Sequence, residues 1–210
     1  MSALEMSGSL SITYQEPNKH WKLRNTLRWG YIWGWLTTVV AKLFSRATGV
    51  PVLTSQLRMF YTYHGVTKDL GVVGRRVITT AGVNWLVDCL QGTYEPEIMK
   101  YHACGTGTTA ESSTDTALVT ECTEGGIIDA TLCTGGTYRP AGSLEEGSSG
   151  NIFHTDAVIG FDGAGDITEH GVFTAASVGT LWDRTVFTAY TVADDGTLTF
   201  NYEMTLTAGG

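Results

Sequence analysis

Apolar and polar residues alternate through most of the chain from about residue 52 onward, and a helical repeat precedes them. Gln56 to His64 alternates and is rich in aromatics, His64-Gly65 offers a turn, and Leu70 to Ile78 reads as the partner strand of a hairpin. A short helix is predicted to open near Ala81, capped by Thr79-Thr80, with Val83, Leu86, Val87 and Leu90 on one face and Gly92 as the stop. Further strands are predicted near 98–103, 126–132, 151–158, 167–173, 181–189 and 198–206. Turns are expected at 142–150, 160–166 and Asp194-Asp195-Gly196. Thr197 to Thr207 alternates strictly, so one face of that strand should be core and the other solvent or a neighbour.

The segment from Asn18 to Arg46 is the best helix candidate, with no internal proline and with Thr48-Gly49-Val50-Pro51 as its stop. Trp21, Leu27, Tyr31, Trp35 and Val39 recur near helical spacing, and Lys19, Lys22, Arg24 and Arg28 crowd its first turns, where the helix dipole disfavours cations. Four of the 6 tryptophans, Trp21, Trp29, Trp33 and Trp35, lie here. The uncharged run from Trp29 to Ala41 is 13 residues, short of the roughly 20 that cross a bilayer. A helix packed against protein is the plainer reading, and a membrane-surface helix is the other. Met1 to Pro17 is a polar, Ser-rich arm without the charged and apolar regions of a secretory signal.

The fold class expected from this pattern is mainly β: an antiparallel β-sandwich or jelly-roll-like domain with an N-terminal arm, an aromatic helix and one short internal helix. The division is residues 1–50 for arm and anchoring helix and 51–210 for the sandwich. Length permits one fair-sized domain with an arm, and a charged share of 16% against the usual quarter excludes a disordered chain.

Charge sharpens the division. Residues 1–100 carry 11 Lys+Arg against 6 Asp+Glu, a balance of +5, whereas residues 101–210 carry 2 against 15, a balance of −13, giving the total of −8. Such a split suits a basic and an acidic segment that meet different surroundings or attract one another between copies. The 4 cysteines contain no C-x-x-C pair, so a zinc ribbon is not expected and buried free thiols are.

The chemistry-bearing patterns are sparse. Gly105-Thr-Gly-Thr-Thr-Ala110 superficially resembles a dinucleotide loop, but no βαβ context surrounds it, and it reads as a glycine-permitted loop after a strand. His102 and Cys104 share a strand face, with Asp115 or Glu121 as conceivable third members of a nucleophile arrangement, and the same spacing equally fills a core. His154-Thr-Asp156 and Glu169-His170 could converge on an ion, although such residues near turns are commonly solvated or capping groups. No catalytic residue, metal site or cofactor is predicted, and direct nucleic-acid binding is not expected, because the acidic half would be repelled by a polyanion. A glycan-binding module is the alternative of another class, using Trp182, Tyr190 and paired carboxylates such as Asp162 and Asp166.

Val77-Ile-Thr-Thr-Ala-Gly-Val-Asn-Trp-Leu-Val-Asp-Cys-Leu90 and the stretch from Met99 through Ala103-Cys-Gly-Thr-Gly-Thr-Thr-Ala110 to Glu121 resemble a family of small virion proteins of tailed bacteriophages. Ile167-Thr-Glu-His-Gly-Val-Phe173, Leu181-Trp-Asp-Arg-Thr-Val-Phe187 and Met204-Thr-Leu-Thr-Ala-Gly-Gly210 extend the likeness to roughly residues 70–210. The resemblance implies a non-enzymatic structural role in the virion, assembled in the host cytoplasm. The expected function is a capsid-decorating or cement protein; the alternative is a neck, tail-fibre or baseplate component. Its partners would be capsid or tail subunits and copies of itself. The residues expected to dock are Trp21, Arg24, Arg28, Trp29, Trp33, Trp35, Lys42 and Arg46, as large aromatic anchors flanked by cations suit interface hot spots.

Overall fold

Two antiparallel sheets pack face to face in the computed structural model, which describes residues 29–75 and 77–209. Helix α1 (Trp29–Thr48) leads into the long strands β1 (Val52–Tyr63) and β2 (Val66–Arg75). They are joined at His64-Gly65, both with positive φ, 47° and 75°, which suits the twist of a tight hairpin. The chain then changes sheet through β3 (Val77–Ile78), α2 (Thr80–Leu90) and a 3₁₀ turn (Pro96–Ile98) to β4 (Tyr101–Gly105). Strands β5 (Ile128–Asp129), β6 (Glu145–Glu146), β7 (Ile152–Phe161), β8 (Gly165–Phe173), β9 (Leu181–Val192) and β10 (Thr197–Thr207) follow. The first sheet runs β2-β1-β10-β7-β5 with β6 also on β7, and the second runs β3-β9-β8-β4. The expected β-sandwich is therefore the architecture found.

Alternation places the core. Leu57, Met59 and Tyr61 of β1, Ala157, Ile159 and Phe161 of β7, and Leu198, Phe200 and Tyr202 of β10 point inward from the first sheet, where they meet Ile167, Val172, Trp182, Phe187 and Tyr190 of the second. Trp182 is fully buried and donates its indole N–H to the Tyr202 hydroxyl at 2.7 Å, so the large aromatic is buried without an orphaned donor. The predicted long strands lie where the alternation put them. The stretch expected as one strand near 126–132 instead forms the two-residue β5 and a 3₁₀ turn over Ala130–Leu132, where Asp129 accepts from the Thr131 N–H and turns the chain out of the sheet.

The face of α2 differs from expectation. Thr79 caps it by accepting from the Gly82 N–H at 2.9 Å, but Val83, Val87 and Leu90 are exposed, and Gly82 and Trp85 are the buried residues. The cause is steric. A Cβ at Gly82 would lie 2.8 Å from the Trp182 carbonyl, so only glycine lets the helix sit this close to β9, and Trp85 then meets Trp182 edge to face at 6.0 Å.

The second sheet is not open to solvent on its outer side. Every residue of β8 from Ile167 to Phe173 is buried. The connection from β4 to β5 crosses that outer face and closes a second small core of Ala103, Leu118, Phe173 and Leu181.

Candidate functional site

The residues chosen as docking groups gather on and before α1. Trp21, Arg24 and Arg28 lie outside the described residues; Trp29, Trp33 and Trp35 belong to α1, with side chains that are likewise outside them. Lys42 and Arg46 are exposed and one turn apart, on a flank of the helix.

The apolar residues of α1 that are described form an unexpected arrangement. Leu36, Val40, Leu43 and Phe44 follow the i, i+4, i+7, i+8 spacing of one helical face, and all four are exposed, Leu43 by 59% and Phe44 by 56%. The opposite face carries Thr38, Ala41 and the fully buried Ser45, and the helix packs against β2 and β1. The helix therefore seats its small residues on its own domain and turns its large apolar residues outward. A helix serving only its own core is oriented the other way, so among the described residues this stripe is an apolar surface left uncovered. No helix among the described residues is long and apolar enough to cross a membrane.

The remaining sequence candidates resolve into structural roles. Glu169 is fully buried, and its carboxylate accepts from the Gly107, Val119 and Thr120 N–H groups at 3.0, 3.1 and 2.7 Å and from Arg184 Nε and Nη2 at 2.9 and 2.8 Å. Arg184 also reaches Asp115 at 2.8 Å and the Thr109 carbonyl at 3.0 Å. Burial opposes the charge on Arg184, but its hydrogen bonds to Asp115 and Glu169 outweigh that and raise its pKa above the usual value. The Gly105-Thr-Gly loop is the other half of this arrangement: a Cβ at either glycine would collide with the Glu169 carboxylate. Its glycines cradle the protein's own anion, as such loops cradle a phosphate.

Glu169 and His170 consequently do not share an ion. His170 points to the opposite side, where it meets His102 Nδ1 at 3.0 Å and stacks on Phe200 at 4.5 Å. The His102, Cys104, Asp115 and Glu121 combination does not assemble either. Glu121 is clamped by both Arg139 Nε and Nη2, at 3.0 and 2.7 Å, while Asp115 is held by Arg184. Cys104 is buried and hydrogen-bonded to Cys122, which together push its thiol well above the ordinary range and deny it the thiolate a nucleophile needs. The cysteines are free, as expected, with Cys104 and Cys133 buried and Cys89 and Cys122 only half-buried. Trp182 and Tyr190 both lie in the core and offer no platform to a sugar ring.

Burial, then the charge of nearby His154, pulls the His102 pKa down to about 3. The folded protein therefore keeps this ring neutral, between His170 and the Thr155 hydroxyl at 3.2 Å. The unfolded ring takes up a proton near pH 6.5. Between about pH 6.5 and 3 the unfolded state binds the extra proton, so His102 destabilises the fold progressively as pH falls, by up to about 1.4 kcal/mol per unit. His102→Gln should flatten the acid limb of stability between pH 6 and 4 in denaturant titrations, and an unchanged slope would contradict this origin.

Two surface features remain. A cleft of about 390 Å³ opens at one end of the sandwich among Trp85, Leu86, Met99, Phe153, Trp182 and Met204, with Glu145 also lining it. Beside it, Glu145, His154 and Asp156 come together from β6 and β7. Sequence spacing flagged His154 and Asp156; Glu145 was unpredicted, because only the pairing of β6 with β7 sets it opposite His154. No family model, no curated protein and no solved structure matches this chain.

Proposed function

We propose that this protein is a non-enzymatic structural component of a tailed-bacteriophage virion, most specifically a capsid-decorating or cement protein that docks through its N-terminal arm and α1. The observation that carries the reading is the outward stripe of Leu36, Val40, Leu43 and Phe44 on a helix whose other face already rests on the sandwich. The resemblance of residues 70–210 to small virion proteins supplies the particle.

Electrostatics support the same orientation. The only two basic residues after position 100 are Arg139 and Arg184, and both are buried against carboxylates, so the sandwich beyond that point presents acidic side chains without arginine or lysine to balance them. Lys42 and Arg46 put positive charge on the helix end. An acidic neighbour, including the sandwich of an adjacent copy, is thereby drawn to the docking helix and repelled from the outer domain.

Deleting residues 1–50 should leave a folded sandwich that no longer joins particles; full incorporation of the truncated chain would overturn the proposal. Copy number in a cryo-EM map of the particle distinguishes the shell from the neck, tail-fibre and baseplate alternative. A count that follows the capsid lattice supports decoration, and one that follows a tail or neck ring supports an appendage.

A further inference from the structure

We propose that Glu145, His154 and Asp156 form a binding site for a divalent transition-metal ion of the zinc class on the outer face of the first sheet. One imidazole nitrogen and one oxygen from each carboxylate lie within 4.8 Å of one another. His154 Nδ1 is 3.5 Å from Glu145 Oε2, and its Nε2 is 4.0 Å from Asp156 Oδ1. An ion bonded to such ligands at about 2.0–2.2 Å holds them about 3–4 Å apart, so small side-chain rotations complete the site.

Strand geometry makes this a built arrangement. His154 and Asp156 are two apart on β7 and project from the same face, and Glu145 is the residue paired with His154 across the β6–β7 ladder. On the other side of β7, Glu203 of β10 is also paired with His154, but its carboxylate accepts from Gln56 Nε2 at 2.6 Å and stands outside the three-ligand group. Asp156 is held by the Ser143 hydroxyl at 2.5 Å, and its own N–H donates back to that hydroxyl, which fixes the carboxylate as an outer-shell partner fixes a ligand.

A second observation points to a ligand. The His154 side chain is only 14% exposed, and its Nε2 is buried without a hydrogen-bond partner. An orphaned acceptor or donor of this kind is costly unless something occupies it. Imidazole beside carboxylates favours zinc, cobalt or manganese over calcium, which takes oxygen ligands alone. Three protein ligands leave one position open, and the ion would clamp the two-residue strand β6 and the 142–150 turn to β7.

Calorimetric titration of the full-length chain with ZnCl₂ tests the site. Wild type should bind one ion per chain, and saturating zinc should raise Tm by about 5–10 °C. His154→Gln should weaken binding by about 100-fold or more and Ser143→Ala by about 10-fold. Glu145, with its side chain 59% exposed on an edge strand, allows a fold-neutral check: Glu145→Gln should keep the metal-free Tm and lose the zinc-dependent rise. The Co²⁺ form should lack a thiolate charge-transfer band. Absence of zinc binding, binding of Ca²⁺ or Mg²⁺ in preference to zinc, or binding that survives His154→Gln and disappears with Cys89→Ser would each overturn the assignment.

Discussion

Glu169→Ala should destabilise the fold by about 3–5 kcal/mol, the loss typical of removing one partner of a buried ion pair. The substitution strands the guanidinium of Arg184, fully buried with only part-exposed Asp115 left to neutralise it. It also orphans the N–H groups of Gly107, Val119 and Thr120, each costing about 1–3 kcal/mol when left buried and unpaired. Those amides hold the 106–120 segment on the outer face of the second sheet, so the damage should spread to the small core of Leu118 and Phe173. Chemical denaturation measures the loss. A companion variant separates charge from cradle: Glu169→Leu with Arg184→Leu removes the unpaired charge yet leaves the three amides unsatisfied, so it should not recover wild-type stability. A loss below about 1 kcal/mol in Glu169→Ala would show that the segment is held by something else.

Replacing Leu43 and Phe44 together by glutamate should abolish particle association while leaving the fold intact. Both side chains are exposed, and surface substitutions of this kind alter stability by about 0.5 kcal/mol at most. If they are anchors of an interface, each is worth about 2 kcal/mol or more, and their loss weakens association by roughly a thousandfold. The measurement is co-sedimentation of the variant with particles, with circular dichroism confirming the fold. Undiminished association would remove the outward stripe as the docking surface, whatever the identity of the particle.

The strands were legible wherever one face of the sheet is core and the other wet, because burial then writes itself as alternation; β1, β7 and β10 are of this type. In β8 both faces are covered, so the run from Ile167 to Phe173 mixes Thr, Glu and His with apolar residues and its depth cannot be read from period. Helix α2 lies where the pattern put it but faces another way, since its apolar arc is broader than one buried face and the absence of a side chain at Gly82 chose which part packs. Of the candidate site, Lys42 and Arg46 were legible as exposed cations. The orientation of Leu36, Val40, Leu43 and Phe44 was not, because amphipathic spacing shows that an apolar face exists and never which body it faces.

The sequence by itself determined a Thr-rich sandwich of alternating strands, an apolar helix before it and a change of charge sign along the chain, all of which depend on neighbours a few residues apart. Tertiary structure alone decided where the charges lie. Arg184 reaches back 69 residues to Asp115, Arg139 reaches 18 to Glu121, and both leave the surface. Glu145 was brought to His154 by the pairing of the two-residue β6 with β7. Each contact closes a loop, the longest the 69 residues between Asp115 and Arg184, and the entropic cost of closure is met only by the whole set of non-local contacts together. No local pattern therefore carries it.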